Sequence, residues 1–263
     1  MTLLDQYHAH GWLSFSFDGK IAEWAASALP AAKASARDPQ QAHWLRCGGT
    51  WFVGVDALPN DAMGRVDGGL ALEGAAMSFI RDGLGHSLPL HRAQVSVCHE
   101  GYPRPSDDET PAAYQYRVKR DAAHVDGLLA EGPDKRRYLK EPHAYILGLP
   151  LNDAGSDAAP LVAWKGSHHI MRKTFEAAFA GTSPRLWKDV DVTDIYQAAR
   201  KEVFASCERV VLFARPGEAT LLHRHVLHGV APWGDARDAS GDGRMIAYFR
   251  PEFENAEDWL RAP

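Results

Sequence analysis

His124 and Asp126 form an H-x-D pair, and His228 follows 102 residues after Asp126, in Leu227-His228-Gly229. Two imidazole nitrogens and one carboxylate oxygen on one face of an octahedral ion leave half of its positions open, the facial triad suited to Fe(II) and oxygen chemistry. Positions i and i+2 of an extended segment share a face, so both side chains of the pair can reach one ion at about 2.0–2.2 Å. A lone H-x-D pair is weak evidence in a chain with 13 histidines, and such a pair is more often surface decoration. The third ligand stays open at this point. Residues 222–229 offer His223, His225 and His228, of which the first two share a face and the last lies opposite. Arg244 stands sixteen residues beyond His228 and leads an apolar run, Met245-Ile246-Ala247-Tyr248, with Arg250 on the same face by parity.

The elements that would position these residues are short. Leu3, Leu4 and Tyr7, then Ile21, Trp24, Ala25, Ala28 and Leu29, recur near helical spacing, so the first 45 residues read as mostly helical. Gly11 and residues 14–17 make a strand-like break in them. Thr50–Val55 reads as a short strand, and a helix is expected over residues 70–84. From about residue 90 to 250 the texture is strands and turns: Ala93–Cys98, Ala144–Leu151, Leu161–Trp164, Arg209–Ala214, Ala219–Leu222 and Arg244–Phe249. A helical insertion is expected near 174–205, and the H-x-D pair is expected at a strand end. The series predicts a mainly β chain with added helices, a single-domain jelly roll of cupin-like architecture over residues 1–263. Two loops, 101–111 and 234–243, rich in prolines, glycines and acidic residues, are expected to be mobile and are candidates for lids.

Composition narrows the class. With 29 basic and 34 acidic residues the net charge is −5, which argues against a nucleic-acid partner. No apolar run is long enough to span a bilayer, and the sequence opens without a basic and apolar leader. Cys47, Cys98 and Cys207 are far apart and lack a C-x-x-C, as expected of reduced thiols in a cytoplasmic protein. Nothing in the residues sets an oligomeric state.

Across roughly residues 90 to 250 the chain resembles the phytanoyl-CoA dioxygenase family of Fe(II)- and 2-oxoglutarate-dependent oxygenases. The resemblance is carried by His124-Val125-Asp126, the Trp164-Lys165-Gly166-Ser167-His168 turn, Pro216-Gly217-Glu218, His228-Gly229 with Pro232 after it, and Arg244. It implies a double-stranded β-helix core, with His228 as the distal iron ligand, His223 as a frequent second histidine of that strand, and His225 as a structural neighbour. It implies that Arg244 grips the far carboxylate of 2-oxoglutarate, for which the planar guanidinium fork is suited; Arg250 is the alternative. It further implies hydroxylation of a substrate C–H bond by O2, with release of succinate and CO2. Related halogenases carry Gly or Ala where this chain has Asp126, so a hydroxylase is expected. The chain departs from the family after the distal histidine, where Pro232-Trp233-Gly234 replaces the usual Asn-x-Ser and the loop to the arginine is longer.

Two other classes share these residues: a cupin-like hydrolase or isomerase using zinc or manganese, and a non-catalytic module whose metal is closed off by His223 or His225. The substrate is expected to be a small molecule, and an anionic one if Arg117, Lys119, Arg120, Lys135, Arg136, Arg137 and Lys140 line the mouth. Trp51, Tyr102, Tyr116 and Trp164 are the aromatic candidates for its walls.

Overall fold

The protein, seen in a computed structural model that describes residues 1–107, 109–238 and 240–263, is built on two facing antiparallel sheets. Asp108 and Ala239, one in each of the two loops expected to be mobile, lie outside the described residues. In chain order the elements begin with α1 (Leu3–His10), β1 (Trp12–Phe15), α2 (Gly19–Arg37), β2 (Leu45–Arg46), β3 (Trp51–Phe52), α3 (Ala75–Ser78), β4 (Gln94–Cys98) and α4 (Pro111–Lys119). Then come β5 (Leu128–Glu131), β6 (Arg136–Leu139), β7 (Tyr145–Pro150), β8 (Leu161–Trp164), α5 (Ser167–Phe179) and α6 (Thr193–Ser206). The chain closes through β9 (Arg209–Leu212), β10 (Ala219–His223), β11 (His228–Val230), β12 (Arg244–Phe249) and α7 (Ala256–Arg261).

The larger sheet has the order β1-β10-β7-β12-β4-β3-β2, the smaller one β11-β8-β9, and β5-β6 form a separate hairpin. Alternation along each strand decides what each face meets. On β12, Met245, Ala247 and Phe249 turn outward into a core shared with α2, where Trp24 lies 5.6 Å from the Phe249 ring. On β8, Val162 and Trp164 face the layer of α5 and α6, while Leu161 and Ala163 meet Ile146 and Leu222 of the larger sheet. The interior between the sheets receives Arg244, Ile246, Tyr248 and Arg250 from the opposite face of β12. This is the expected jelly-roll architecture with added helices.

Several boundaries differ from expectation, each for a physical reason. The strand-like break in the N-terminal region is β1, which pairs with β10 at the edge of the larger sheet. Residues before 90 therefore contribute β1, β2 and β3 to that sheet. The helix expected over 70–84 is reduced to α3 and a wide turn at Phe79–Gly83, because Gly74 (φ +116) starts it late. The expected insertion begins earlier, at Ser167, where Gly166 (φ +75) turns the chain straight into α5. The basic stretch contains the β5–β6 hairpin, with Gly132 (φ +69) and Lys135 (φ +51) in its turn.

Candidate active site

His124, Asp126 and His228 converge, with one ligand atom from each lying within 4.8 Å of the others. The backbone explains how residues 104 apart meet. His124 and His228 face each other in an antiparallel bridge and exchange both hydrogen bonds, N–H of His124 to O of His228 at 2.8 Å and the reverse at 3.0 Å. The H-x-D segment is thus an isolated bridge and turn, not the end of a regular strand. Asp121 and Ala122, both at positive φ, bend the chain before it, and Gly127 (φ +83) bends it after. A Cβ on Gly127 would come within 2.1 Å of the Glu141 carbonyl oxygen, and one on Gly229 within 2.1 Å of the Asp121 carbonyl oxygen. The glycine after the distal histidine is therefore required by the close passage of the proximal loop. Arg209 secures that loop, donating to both carboxylate oxygens of buried Asp121 at 2.7 and 2.8 Å.

Each imidazole is oriented by a carbonyl two residues before it. His124 Nδ1 lies 2.9 Å from the Ala122 oxygen and His228 Nδ1 3.0 Å from the Val226 oxygen. A carbonyl only accepts, so both Nδ1 atoms carry a proton and each Nε2 is the nitrogen left to meet a metal. Asp126 Oδ1 lies 3.1 Å from His124 Nε2 and 3.8 Å from His228 Nε2, while Arg250 donates to Oδ2 at 3.3 Å. One carboxylate oxygen thus faces the histidines and the other is held away.

Electrostatics follow this arrangement. Burial works against the Asp126 carboxylate, but the Arg250 charge and the two imidazoles outweigh it and hold its pKa well below the usual range. Burial, helped by the charges of His124 and Arg250, pushes His228 down to about 4 against the pull of Asp126. His124 is also penalised by burial, yet its hydrogen bond to Asp126 and that carboxylate's charge raise it overall.

The triad opens on a cavity of about 150 Å³ walled by Trp51, Val53, Val55, Ile146, Leu161 and Val230, with Gln94, Ser96, Tyr248 and Arg250 as further polar lining. Leu161 and Tyr248 also border a smaller cavity of about 20 Å³ between the sheets, and Arg244 lines that one. Arg244 is buried; its guanidinium lies 3.8 Å from Cys98 Sγ, and its Nε finds no partner among the described residues.

The other candidates fall elsewhere. His223 and His225 lie outside the converging group and are buried near His168, with ring centroids 4.9 Å (His168–His223) and 5.1 Å (His223–His225) apart. Of the four aromatics considered as walls, only Trp51 lines the triad cavity. Tyr102 and Trp164 pack in separate apolar clusters, and Tyr116 bonds the Ala123 carbonyl from α4.

The basic residues between Arg117 and Lys140 do not line that cavity either. Arg117 pairs with Glu109, Arg136 with Asp191 and Asp194, and Lys140 with Glu131, while Arg120 lies over the Phe204 ring. Their charge is met locally by carboxylates and an aromatic face, which the count of basic residues could not show.

No family model matches the sequence, and no curated protein matches it. Solved structures do share its fold. The non-heme alpha ketoglutarate dependent carbocyclase SnoK from nogalamycin biosynthesis superposes with a TM-score of 0.52 at 12% identity, covering 96% of this chain and 84% of its own. The epimerase SnoN, crystallised in complex with Fe3+, alpha ketoglutarate and nogalamycin RO, gives 0.51 at 14% identity, over 95% and 82%. At such identities the likeness is one of fold. Among the described residues no helix is long and apolar enough to cross a membrane.

Proposed function

We propose that this chain is a cytoplasmic non-haem Fe(II)- and 2-oxoglutarate-dependent dioxygenase of the phytanoyl-CoA dioxygenase type. It would hydroxylate a C–H bond of a small molecule and release succinate and CO2. The observation that carries this reading is the convergence of three donors on a cavity whose smaller neighbour holds a buried arginine with an unpartnered nitrogen. Three protein ligands suit an ion that must keep positions open, and a buried guanidinium with unmet donors suits an anion. The residues present fit both groups.

His124 Nε2, Asp126 Oδ1 and His228 Nε2 would hold the iron. Arg244 would take the far carboxylate of 2-oxoglutarate. Arg250 fits that task less well, because it already touches the ligand Asp126 and so stands beside the metal. Its work is to keep Oδ2 occupied so that Oδ1 alone is presented. Ferrous iron and 2-oxoglutarate, when bound, supply the activation of O2 that side chains cannot. The aliphatic walls hold a C–H bond near the metal and keep water out, and hydroxylation asks nothing more of them. Asp126 fills the position that related halogenases leave to a halide. Recognition of an anionic substrate group we place on Arg250, which among the described residues is the one Arg or Lys lining the triad cavity.

The structural relatives include a carbocyclase and an epimerase, so the product is the point to test. Chain reconstituted with Fe(II) in air should convert 2-oxoglutarate to succinate, and a screen of small molecules by mass spectrometry should find a product one oxygen atom heavier. A desaturated, cyclised or epimerised product would replace hydroxylation, and no succinate from any mixture would remove the class.

A further inference from the structure

We infer that Tyr116, Arg200 and Tyr196 form a bracket that sets the position of His124 at the metal, a role for the helices outside the jelly roll. The inference rests on the metal reading of the triad. Two peptide units flank the Cα of His124, and all four of their polar atoms are held. His124 N–H and its carbonyl are bonded to the backbone of His228. The remaining two belong to the helices. The Tyr116 hydroxyl of α4 donates to the Ala123 carbonyl at 2.7 Å, and the Val125 N–H donates to the Tyr196 hydroxyl of α6 at 2.9 Å.

Arg200 joins the two tyrosines. Its guanidinium lies 5.1 Å from the Tyr116 ring centroid and 4.9 Å from that of Tyr196, and it donates to the Tyr116 oxygen at 2.8 Å. That bond makes the Tyr116 oxygen an acceptor and leaves its proton for Ala123. Tyr196 and Arg200 are four residues apart on α6 and so share a face. Among the described residues Arg200 has no carboxylate partner. Its charge is spent on the bracket.

The setting makes these bonds decisive for geometry. Ala123 and Val125 are buried in the apolar layer that includes Tyr196 and Val203, where an unpaired peptide group is unfavourable. The peptides on either side of His124 therefore follow the two hydroxyls. One ring nitrogen of His124 is fixed by Ala122, so a shift of these peptides carries Nε2 with it. The tyrosines and Arg200 are positioning residues, acting through the backbone of a ligand.

Cobalt(II) titrated into the full chain, in place of air-sensitive iron, reads this directly. Tyr196→Phe and Tyr116→Phe should bind Co(II) about 10–100-fold more weakly, the usual loss when a ligand's outer partner is removed, and shift its visible d–d bands. Arg200→Lys, which keeps charge and both rings, should give a smaller loss and guards against a tyrosine variant that does not fold. Phe179→Leu thins the same helical layer without touching these peptides, so it should lower the melting temperature and leave affinity and spectrum alone. Unchanged affinity and spectrum in the tyrosine variants would overturn the bracket, as would an equal loss in Phe179→Leu. A wild-type chain that takes up no cobalt would remove the metal reading itself, and the bracket's purpose with it.

Discussion

Two groups of histidines in this molecule look alike by distance and differ in what their ring nitrogens face. His124 and His228 have ring centroids 4.7 Å apart, and the His168–His223 and His223–His225 pairs are 4.9 and 5.1 Å apart. In the first group each Nδ1 is taken by a carbonyl and each Nε2 faces the same oxygen of the Asp126 carboxylate, at 3.1 and 3.8 Å. In the second group the rings meet other rings. His225 stands edge-on to Trp259 at 4.2 Å, His223 uses Nδ1 to accept the His225 N–H, and His168 uses Nε2 against the His8 carbonyl. Buried Arg224, whose guanidinium caps carbonyls of Trp259, Ala262 and Pro263, adds positive charge there. Neither ring proximity nor an unpartnered ring nitrogen, which His168 and His225 also have, makes a metal site; convergence on a shared carboxylate does.

The sharpest way to break this comparison is to remove ligands from both groups. His124→Ala or His228→Ala should weaken Fe(II) binding by more than about 100-fold, beyond the loss typical of an outer partner. His223→Ala and His225→Ala should keep one iron per chain while lowering the melting temperature. Elemental analysis after reconstitution and thermal unfolding check both arms. Metal lost only on His225→Ala would reverse the assignment of the two groups.

Next in size is the buried arginine of the smaller cavity. Arg244→Lys keeps the charge and loses the fork, so 2-oxoglutarate binding to the iron-loaded chain should weaken by about 1.5–3 kcal/mol. Calorimetry measures it, and an equal weakening in Arg250→Lys alone would move the clamp to that residue.

The second histidine group should announce itself through pH. Burial, then neighbouring charge, pushes His168 down to about 4 and holds His223 and His225 well below the usual imidazole range. Their folded pKa values are depressed, so the unfolded chain takes up the extra protons. Stability is then fully present above about pH 6.5 and falls as the pH drops from there toward 4. Melting temperature followed over that window should decline, less steeply in His225→Leu, and a flat profile would contradict the buried neutral histidines. His124 behaves oppositely, since Asp126 raises it, so its stabilising proton is lost as pH rises through its folded value.

The smallest effect concerns the basic stretch. Arg136 is partly exposed and paired with Asp191 and Asp194, so Arg136→Gln should cost about 0–1 kcal/mol and leave iron and 2-oxoglutarate binding as they were. A marked change in either affinity would return this stretch to the mouth of the site.

Much of the site is legible in residue types, because iron chemistry needs an imidazole pair, a carboxylate and a guanidinium. The H-x-D pair and the parity of Arg244 with Arg250 can be read that way, whereas His228 is set apart from His223 and His225 only by the family resemblance; the fold brings His124, Asp126 and His228 together. What cannot be read is pairing across distance. The bridge between His124 and His228 spans 104 residues, and the tyrosines holding Ala123 and Val125 carry no local signal. The strands of the jelly roll are legible because their apolar alternation is local. The β5–β6 hairpin is obscured by its charged residues, although Gly132-Pro133-Asp134 between its strands is a turn signal. Gly229 shows what a sequence hides and a structure explains: a glycine kept small by a carbonyl from a distant loop.

The central claim is that one Fe(II) and one 2-oxoglutarate share this interior. An anaerobic titration of Fe(II) into the chain, with and without 2-oxoglutarate, tests it by following visible absorption. One iron per chain is expected, with a metal-to-ligand charge-transfer band that grows only when 2-oxoglutarate is present and is absent in His228→Ala. Iron uptake that gives no such band, or a band that persists without His228, would contradict it.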